Sequence, residues 1–368
     1  MQSEACYIGL MSGTSMDGID AALVSFPDQG LKLHATHSVP YPHDLRERLH
    51  RLSQNQGGPD EIGEMDHQLG VLFGEAAQRV MEAGNLTSSE IAAIGSHGQT
   101  IRHQPRGQCS FSLQLGDPNI IVEQTGIATI ADFRRRDMAA GGEGAPLVPA
   151  FHRAFFGKSG ENRCIVNIGG IANISWLPGD DPDQASGFDT GPGNALMDAW
   201  CHHHTGRHYD ENGRLAQEGE INEDLLEDML SDGYFAQAAP KSTGKEKFNL
   251  AWIQTVLSRH PELSMADVQR TLLQLTVTTI AQQLDELPAE MVYLCGGGVR
   301  NPELVAALTQ ACPRHQIAST DALGMDPQWV EATAFGWLAR QTLNANTGNL
   351  PKVTGARGKR ILGAIYQP

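Results

Sequence analysis

IGLMSGTSMDGIDAALVSF, residues 8–26, reads as a strand, a glycine-bearing turn and a returning strand. Gly9-Leu10-Met11 leads into Ser12-Gly13-Thr14-Ser15-Met16-Asp17-Gly18, and Ile19 begins an apolar return to Phe26. Short hydroxyls and bare backbone at a hairpin tip expose donors that can cradle a phosphate. The same residues also fit a plain surface hairpin turning at Asp17-Gly18. The density of hydroxyls, with Asp17 and Asp20 alongside, favours a ligand-bearing tip, since a purely structural turn needs neither.

Working outward, Leu31 to Tyr41 alternates as a third strand, so the chain opens on an antiparallel meander at the edge of a mixed sheet. Residues 42–53 and 59–83 read as helices. Ile91 to Gly95 is a short buried strand that ends in a polar tip, Ser96-His97-Gly98-Gln99-Thr100, and open α/β sheets place ligand groups at such strand ends. Phe111 to Leu115 is a strand, a helix runs through Glu123, and Ile127 to Ala131 is a strand again. DFRRRDMAAGGEGAPLVPAFH, residues 132–152, then sets three arginines before a second glycine cluster. In an acidic chain this points to anion binding; a solvated linker is the other reading.

The second half echoes the first. Arg163 to Gly169 is a strand into Gly169-Gly170, Ile171 to Leu177 returns, and a third strand leads into Gly187-Phe188-Asp189-Thr190-Gly191-Pro192-Gly193-Asn194 before a helix from Ala195. That repetition predicts two similar domains facing a shared cleft. Further on, Ser264 caps a long helix, Met291 to Leu294 is a strand into Cys295-Gly296-Gly297-Gly298, and Val330 to Leu343 is a helix with Glu331 in its first turn. Strand, triple glycine, helix is where a flat ligand can lie on bare backbone. Three such tips make a nucleotide site far stronger than any one of them. There is no GxxxxGK[ST] loop and no GxGxxG after the first strand, which excludes a P-loop protein and argues against a Rossmann dinucleotide fold.

Asp189, between glycines that admit a substrate close to its carboxylate, suits a general base; capping a turn is the other use of an aspartate there. His202-His203-His204 with His208 lacks metal-ligand spacing and reads as a helix end. PKSTGKEKFN, residues 240–249, reads as a basic surface loop.

Composition bounds the rest. The chain has 368 residues, 40% hydrophobic and 19% charged, with a formal net charge of −16. Nucleic acid and anionic membranes need a basic footprint, so neither is expected as a partner. No apolar run reaches a membrane span. Six scattered cysteines without a CxxC pair fit reduced thiols in the cytoplasm.

MSGTSMDGID, GSHGQTIRH, DFRRRDMAAGGEGAPLVPAFH, NIGGIANIS, GFDTGPGN and LCGGGVRN, in this order and followed by VTGARGKRILGAIYQP, together resemble the anhydro-N-acetylmuramic acid kinase family over essentially the whole chain. The resemblance implies an α/β fold of the acetate and sugar kinase/Hsp70/actin type: two actin-like, ribonuclease H-like domains with mixed five-stranded sheets flanking an ATP cleft. The domains would be 1–131, rejoined by 344–368, and 132–343. It implies ATP and Mg²⁺ as cofactors, a small amino sugar as partner with a homodimer allowed, and peptidoglycan recycling in the cytoplasm. The 1,6-anhydro ring of 1,6-anhydro-N-acetylmuramic acid would be hydrolysed and its 6-oxygen phosphorylated. By position, Ser12, Gly13, Thr14, Ser15, Met16, Asp17, Gly18 and Ile19 match a first phosphate loop. Gly191, Gly193 and Asn194 match a second, and Gly296, Gly297 and Gly298 a nucleoside loop. Asp189 matches the catalytic carboxylate, and His97, Gln99, Thr100, Arg134 and Glu331 are candidate substrate contacts. No aspartate precedes the first loop's glycine, so either Asp17 or Asp189 orients the magnesium water. A kinase for an ordinary sugar hydroxyl and a non-catalytic ATP-binding sensor are the competing functions.

Overall fold

In a computed structural model, residues 5–27, 30–239 and 241–368 are described. Among them the strands, in chain order, are β1 (Cys6–Ser12), β2 (Gly18–Ser25), β3 (Lys32–Pro40), β4 (Ile91–Gln104), β5 (Phe111–Leu115), β6 (Thr129–Ala131), β7 (Arg163–Ile168), β8 (Ile171–Leu177), β9 (Ser186–Pro192), β10 (Met291–Cys295), β11 (Gln316–Ser319) and β12 (Ala364–Tyr366). The chain divides into two compact units, residues 1–155 with 329–368, and residues 156–328.

The sheet of the first unit has the order β12-β6-β4-β1-β2-β3, with β5 added to β4; that of the second has the order β11-β10-β7-β8-β9. In the first, β1 pairs antiparallel with β2 and β2 with β3, while β1 pairs parallel with β4 and β4 with β6. In the second, β7-β8-β9 is the same antiparallel meander and β7-β10-β11 the same parallel run. The two sheets therefore share one five-strand topology. The first is seven-stranded rather than five-stranded, because the C-terminal β12 pairs with β6 and β5 folds back on β4.

The central strands explain their own composition. β7 is buried along its whole length and β1 nearly so, as expected for strands covered on both faces and hence apolar throughout. One face of the first sheet carries the Pro59–Gly84 helix, which buries Met65, Leu69, Phe73, Ala76 and Val80. On the opposite face the Val330–Leu343 helix lies directly on backbone. A Cβ on Gly9 would stand 1.7 Å from the Ala332 carbonyl oxygen, and one on Gly95 2.1 Å from that of Phe335. This contact ties residues 329–343 to the first unit; the sequence reading ended that domain at 131 and rejoined it only at 344, whereas the unit runs on to 155 and resumes at 329. In the second unit the Met265–Asp285 helix, N-capped by Ser264, supplies Leu272, Leu275, Ile280 and Leu284 to a core with Ile174 and Phe188.

Two local expectations change. β4 does not stop at Gly95; it runs on to Gln104 and turns antiparallel onto β5, so residues 96–100 lie inside a long strand. Residues 133–139, which hold the arginine run and for which a solvated linker was the other reading, form a short helix.

Candidate active site

In the first unit the β1–β2 tip is braced from beneath. Ser12 is 1% exposed, and its hydroxyl oxygen lies 2.7 Å from both the Gly18 carbonyl and Gln99 Oε1 while accepting from the Tyr41 hydroxyl at 3.0 Å. Gln99 is fully buried and turns its amide nitrogen to the carbonyls of Gly13 and Thr100. Met16 takes a left-handed backbone (φ 55°) and buries its side chain, and Ile19 is core. A Cβ on Gly18 would meet the Val39 carbonyl at 2.4 Å, so that glycine answers to the neighbouring strand. What the tip turns outward is narrower than the motif: Gly13, Thr14, Ser15 and Asp17, with Ser15 donating to Asp17 at 2.7 Å.

His97 and Arg134 meet in the same unit. Arg134 donates from Nε (3.2 Å) and from a terminal nitrogen (2.8 Å) to His97 Nε2, and from its other terminal nitrogen to the Gly144 carbonyl at 2.8 Å. A guanidinium can only donate and a carbonyl can only accept, so the tautomer is settled. His97 Nε2 is the acceptor, and Nδ1–H donates to the Gly98 carbonyl at 2.7 Å. Burial, with the Arg134 charge second, pushes the ring down to about 3, and it is neutral. Thr100 accepts from the Gln114 amide at 3.0 Å, and Glu331 is half-buried in the first turn of the Val330–Leu343 helix.

In the second unit Asp189 lies on β9 itself, at a bulge where β8 steps from Ala172 to Asn173, rather than in an open turn. Its N–H donates to the Lys241 carbonyl at 2.9 Å and its carbonyl accepts from the Tyr234 hydroxyl at 2.8 Å. Carboxylate Oδ2 accepts from the Thr243 N–H at 3.0 Å. Residues 241–243 were read as part of a basic surface loop; they build the seat of Asp189. Lys241 is 3% exposed, caps the carbonyls of Tyr234 and Phe235, and has its pKa lowered by burial. No local pattern signalled this, since Tyr234 and Thr243 stand 45 and 54 positions from Asp189; Pro240, which opens that loop, lies outside the described residues.

The predicted second phosphate loop spends its donors internally. The N–H of Gly193 and that of Ala195 go to Gly170 O, and that of Asn194 goes to Gly169 O. A Cβ on Gly193 would meet Gly169 O at 2.3 Å, and Gly191 (φ 152°) backs onto the Phe235 ring. These residues carry the β7–β8 tip, Gly169-Gly170, on their backs. That tip is the topological counterpart of the β1–β2 tip, and the repeat in the sequence was the signal that could have found it. At the end of β10, Gly296 (φ 83°) and Gly298 are packed against Asn167 and Ile168, whereas a Cβ on Gly297 would find its nearest neighbour 4.0 Å away at Asn194. Gly13 and Gly169 are similarly open, with nearest atoms at 3.7 and 3.5 Å. Three glycines, each following a strand that runs parallel to its neighbour, thus face space that nothing in their own unit fills. Among the described residues no three His, Cys, Asp or Glu side chains gather to hold a metal ion, and no helix is long and apolar enough to cross a membrane.

A family profile described as anhydro-N-acetylmuramic acid kinase matches residues 5–368. Proteins of that name from Shewanella pealeana and Coxiella burnetii are 50% and 48% identical to the chain, each alignment covering 98% of it and 98% and 97% of the relative. Two solved structures align at low identity. The activator of 2-hydroxyisocaproyl-CoA dehydratase from Clostridium difficile with bound ADPNP is 12% identical, covers 92% of this chain and 96% of its own, and has a TM-score of 0.48. A ROK family glucokinase from Streptomyces griseus in complex with glucose and AMPPNP is 13% identical, covers 92% and 100%, and has a TM-score of 0.43.

Proposed function

The chain belongs to the anhydro-N-acetylmuramic acid kinase family and is a kinase with an alcohol acceptor, and from that premise we propose how its residues open and phosphorylate 1,6-anhydro-N-acetylmuramic acid in peptidoglycan recycling. The observation that carries the reading is Asp189, held by backbone contacts at both its N–H and its carbonyl with one carboxylate oxygen on Thr243 N–H. A carboxylate fixed this firmly is preorganised to take a proton from water.

The substrate's 6-oxygen is locked in an internal acetal, so no free hydroxyl exists to phosphorylate. Water, losing its proton to Asp189, forms the new bond to the anomeric carbon as the bond from that carbon to the 6-oxygen breaks. The electron pair released on the 6-oxygen attacks the γ-phosphorus of ATP, and ADP leaves. An inverting glycosidase needs a second carboxylic acid for its leaving group; here the phosphoryl group captures it, so one carboxylate suffices.

Gly13, Thr14 and Ser15, the Gly169-Gly170 tip and Gly297 are the proposed nucleotide contacts. Arg134 and Glu331 serve the acceptor, and Ser12 and Gln99 serve the loop rather than a ligand. The residues present fit Mg²⁺, which keeps its waters and binds through one or two carboxylates plus substrate phosphates rather than an all-protein cage. Asp17, exposed at the β1–β2 tip beside Thr14 and Ser15, is the carboxylate that would hold it, and the ion would neutralise phosphate charge. Among the described residues none of the six cysteines is in a disulfide, which is consistent with the cytoplasm as its compartment.

Phosphorus NMR after incubation with ATP and the anhydro sugar tests the reading. The expected product is a 6-phosphate monoester of the ring-opened sugar. A phosphorylated sugar that keeps its 1,6-bridge would replace this reading with a kinase for an ordinary hydroxyl, and the absence of any phosphorylated sugar would end it.

A further inference from the structure

We propose that Lys241 and Tyr234 are positioning residues for the reaction, a clasp that touches no substrate and aims the Asp189 carboxylate. The inference rests on Asp189 being the base. Three groups of Asp189 are tied to one stretch of chain. Its carbonyl accepts from the Tyr234 hydroxyl at 2.8 Å, its N–H donates to the Lys241 carbonyl at 2.9 Å, and Oδ2 accepts from the Thr243 N–H at 3.0 Å. Such a clasp fixes the carboxylate only if its two arms are fixed to each other. The Lys241 side chain does this. Nζ donates to the carbonyls of Tyr234 (3.4 Å) and Phe235 (3.2 Å) and stands 4.9 Å from the centre of the Tyr234 ring.

Lys241 is 3% exposed, and that burial closes its ammonium to a phosphate or a sugar carboxylate, the ligands that a basic loop invites. Among the described residues it has no ion-pair partner, and Glu286 supports its charge only from farther off. Lys247 shows the contrast: partly exposed, it pairs with the Asp232 carboxylate at 2.6 Å. Burying an ammonium away from any carboxylate is unfavourable unless its donors are met, and a neutral side chain would pack there without that penalty. What the charge supplies is charge-assisted donation to two carbonyls at once, with the ring face beneath it. The other arm is held as firmly. The Tyr234 ring lies edge-on to Phe235 and Phe248, centroids 5.7 and 5.6 Å away, and its N–H donates to Asp232 Oδ1 at 2.8 Å. Asp232 is fixed in turn by Lys247 and by the Trp252 indole N–H at 3.2 Å. The aim of the Asp189 carboxylate is thereby passed back to the core of its own unit.

The test compares wild type, Lys241→Met, Tyr234→Phe, Asp189→Asn and the doubles Lys241→Met/Asp189→Asn and Tyr234→Phe/Asp189→Asn, with ATP and 1,6-anhydro-N-acetylmuramic acid. Methionine keeps an unbranched stem without the charge, and phenylalanine keeps the ring without the hydroxyl. Lys241→Met should lower kcat about 10–100-fold, the range for a reacting group about 1 Å out of place, with KM for both substrates within about 2-fold of wild type. Tyr234→Phe should lower kcat about 10-fold, the share of one hydrogen bond, again with KM little changed. Each double variant should be no slower than Asp189→Asn alone. Amide exchange at Asp189 and Thr243 should be faster in both clasp variants. A raised KM at unchanged kcat would mean that Lys241 meets substrate. Losses that multiply in the doubles would mean action on another step, and wild-type kcat in folded variants would mean packing alone; each of these overturns the proposal. Should Lys241→Met fail to fold, Tyr234→Phe and its double decide it by the same criteria. Turnover retained in Asp189→Asn would sink the base reading, and the exchange rates would then decide the clasp: faster supports it, unchanged refutes it. An inactive Asp189→Asn beside fully active clasp variants would sink the clasp and leave the base standing.

Discussion

Asp189 is held through its own backbone N–H and carbonyl, and its carboxylate accepts from the Thr243 backbone N–H, a bond that an amide oxygen can also accept. Asp189→Asn should therefore fold and bind both substrates while losing turnover. General-base catalysis contributes on the order of 10²–10⁴-fold, and the loss should reach the upper end because water attack and phosphoryl transfer fail together. Single-turnover rates measure this, and reaction in ¹⁸O-labelled water should place the label on the anomeric hydroxyl. Substantial activity in the variant, or label in phosphate, would move the search for the base to Glu331. The open glycines make a second prediction. Gly297→Val adds a side chain where the nearest protein atom is 4.0 Å off, and Gly13→Val where it is 3.7 Å off, so both should melt near wild type and bind ATP at least about 10-fold more weakly. Calorimetry returning wild-type affinity would take that glycine out of the site. Gly298→Val should instead disturb folding, because its Cβ would press on Ile168 at 2.4 Å. Adjacent glycines thus answer to different constraints, one to a ligand and one to packing, and nothing in GGG distinguishes them.

At the scale of elements, two glycines seat a helix on a sheet. The Val330–Leu343 helix rides on β1 and β4 through Gly9 and Gly95, closer than any side chain allows. Gly9→Ala should cost at least the roughly 3 kcal/mol at which overpacking penalties usually end, because backbone on both sides must move; urea unfolding would show it, and an unchanged midpoint would mean the helix shifts freely. The strands and long helices were legible from periodicity, as at Ser264, whose side chain accepts from the Asp267 N–H. The hairpin tip was legible as a motif. Its division of labour was not: Ser12 and Gln99 look like ligand residues in sequence, yet they bond each other across 87 positions.

For the whole molecule, acid should act through buried neutral histidines. His97 and His152 are pushed down to about 3 and His103 to about 4, in each case chiefly by burial. The unfolded chain, with histidines near 6.5, binds protons that the folded chain refuses between that value and these. Stability is thus fully present above about pH 6.5 and falls as pH drops, by about 1.4 kcal/mol per pH unit for each such histidine. Urea titrations from pH 7 to 5 should show the decline, and His97→Gln should make it shallower by one histidine's share; an identical slope would mean the ring titrates normally.

By itself the sequence determined the two glycine-tipped meanders, the family, and Asp189 as the carboxylate to watch, because local periodicity and contiguous motifs carry those signals. Only the tertiary structure decided which unit owns residues 329–343, that the first sheet has seven strands, and that the N–H groups of Gly193 and Asn194 are spent on the Gly170 and Gly169 carbonyls. It also decided that Lys241 and Thr243 seat Asp189, and that His97 Nε2 accepts from Arg134. Each of these depends on which backbone donors are already spent and how closely two backbones approach, and those are pairings between distant residues that no local pattern records.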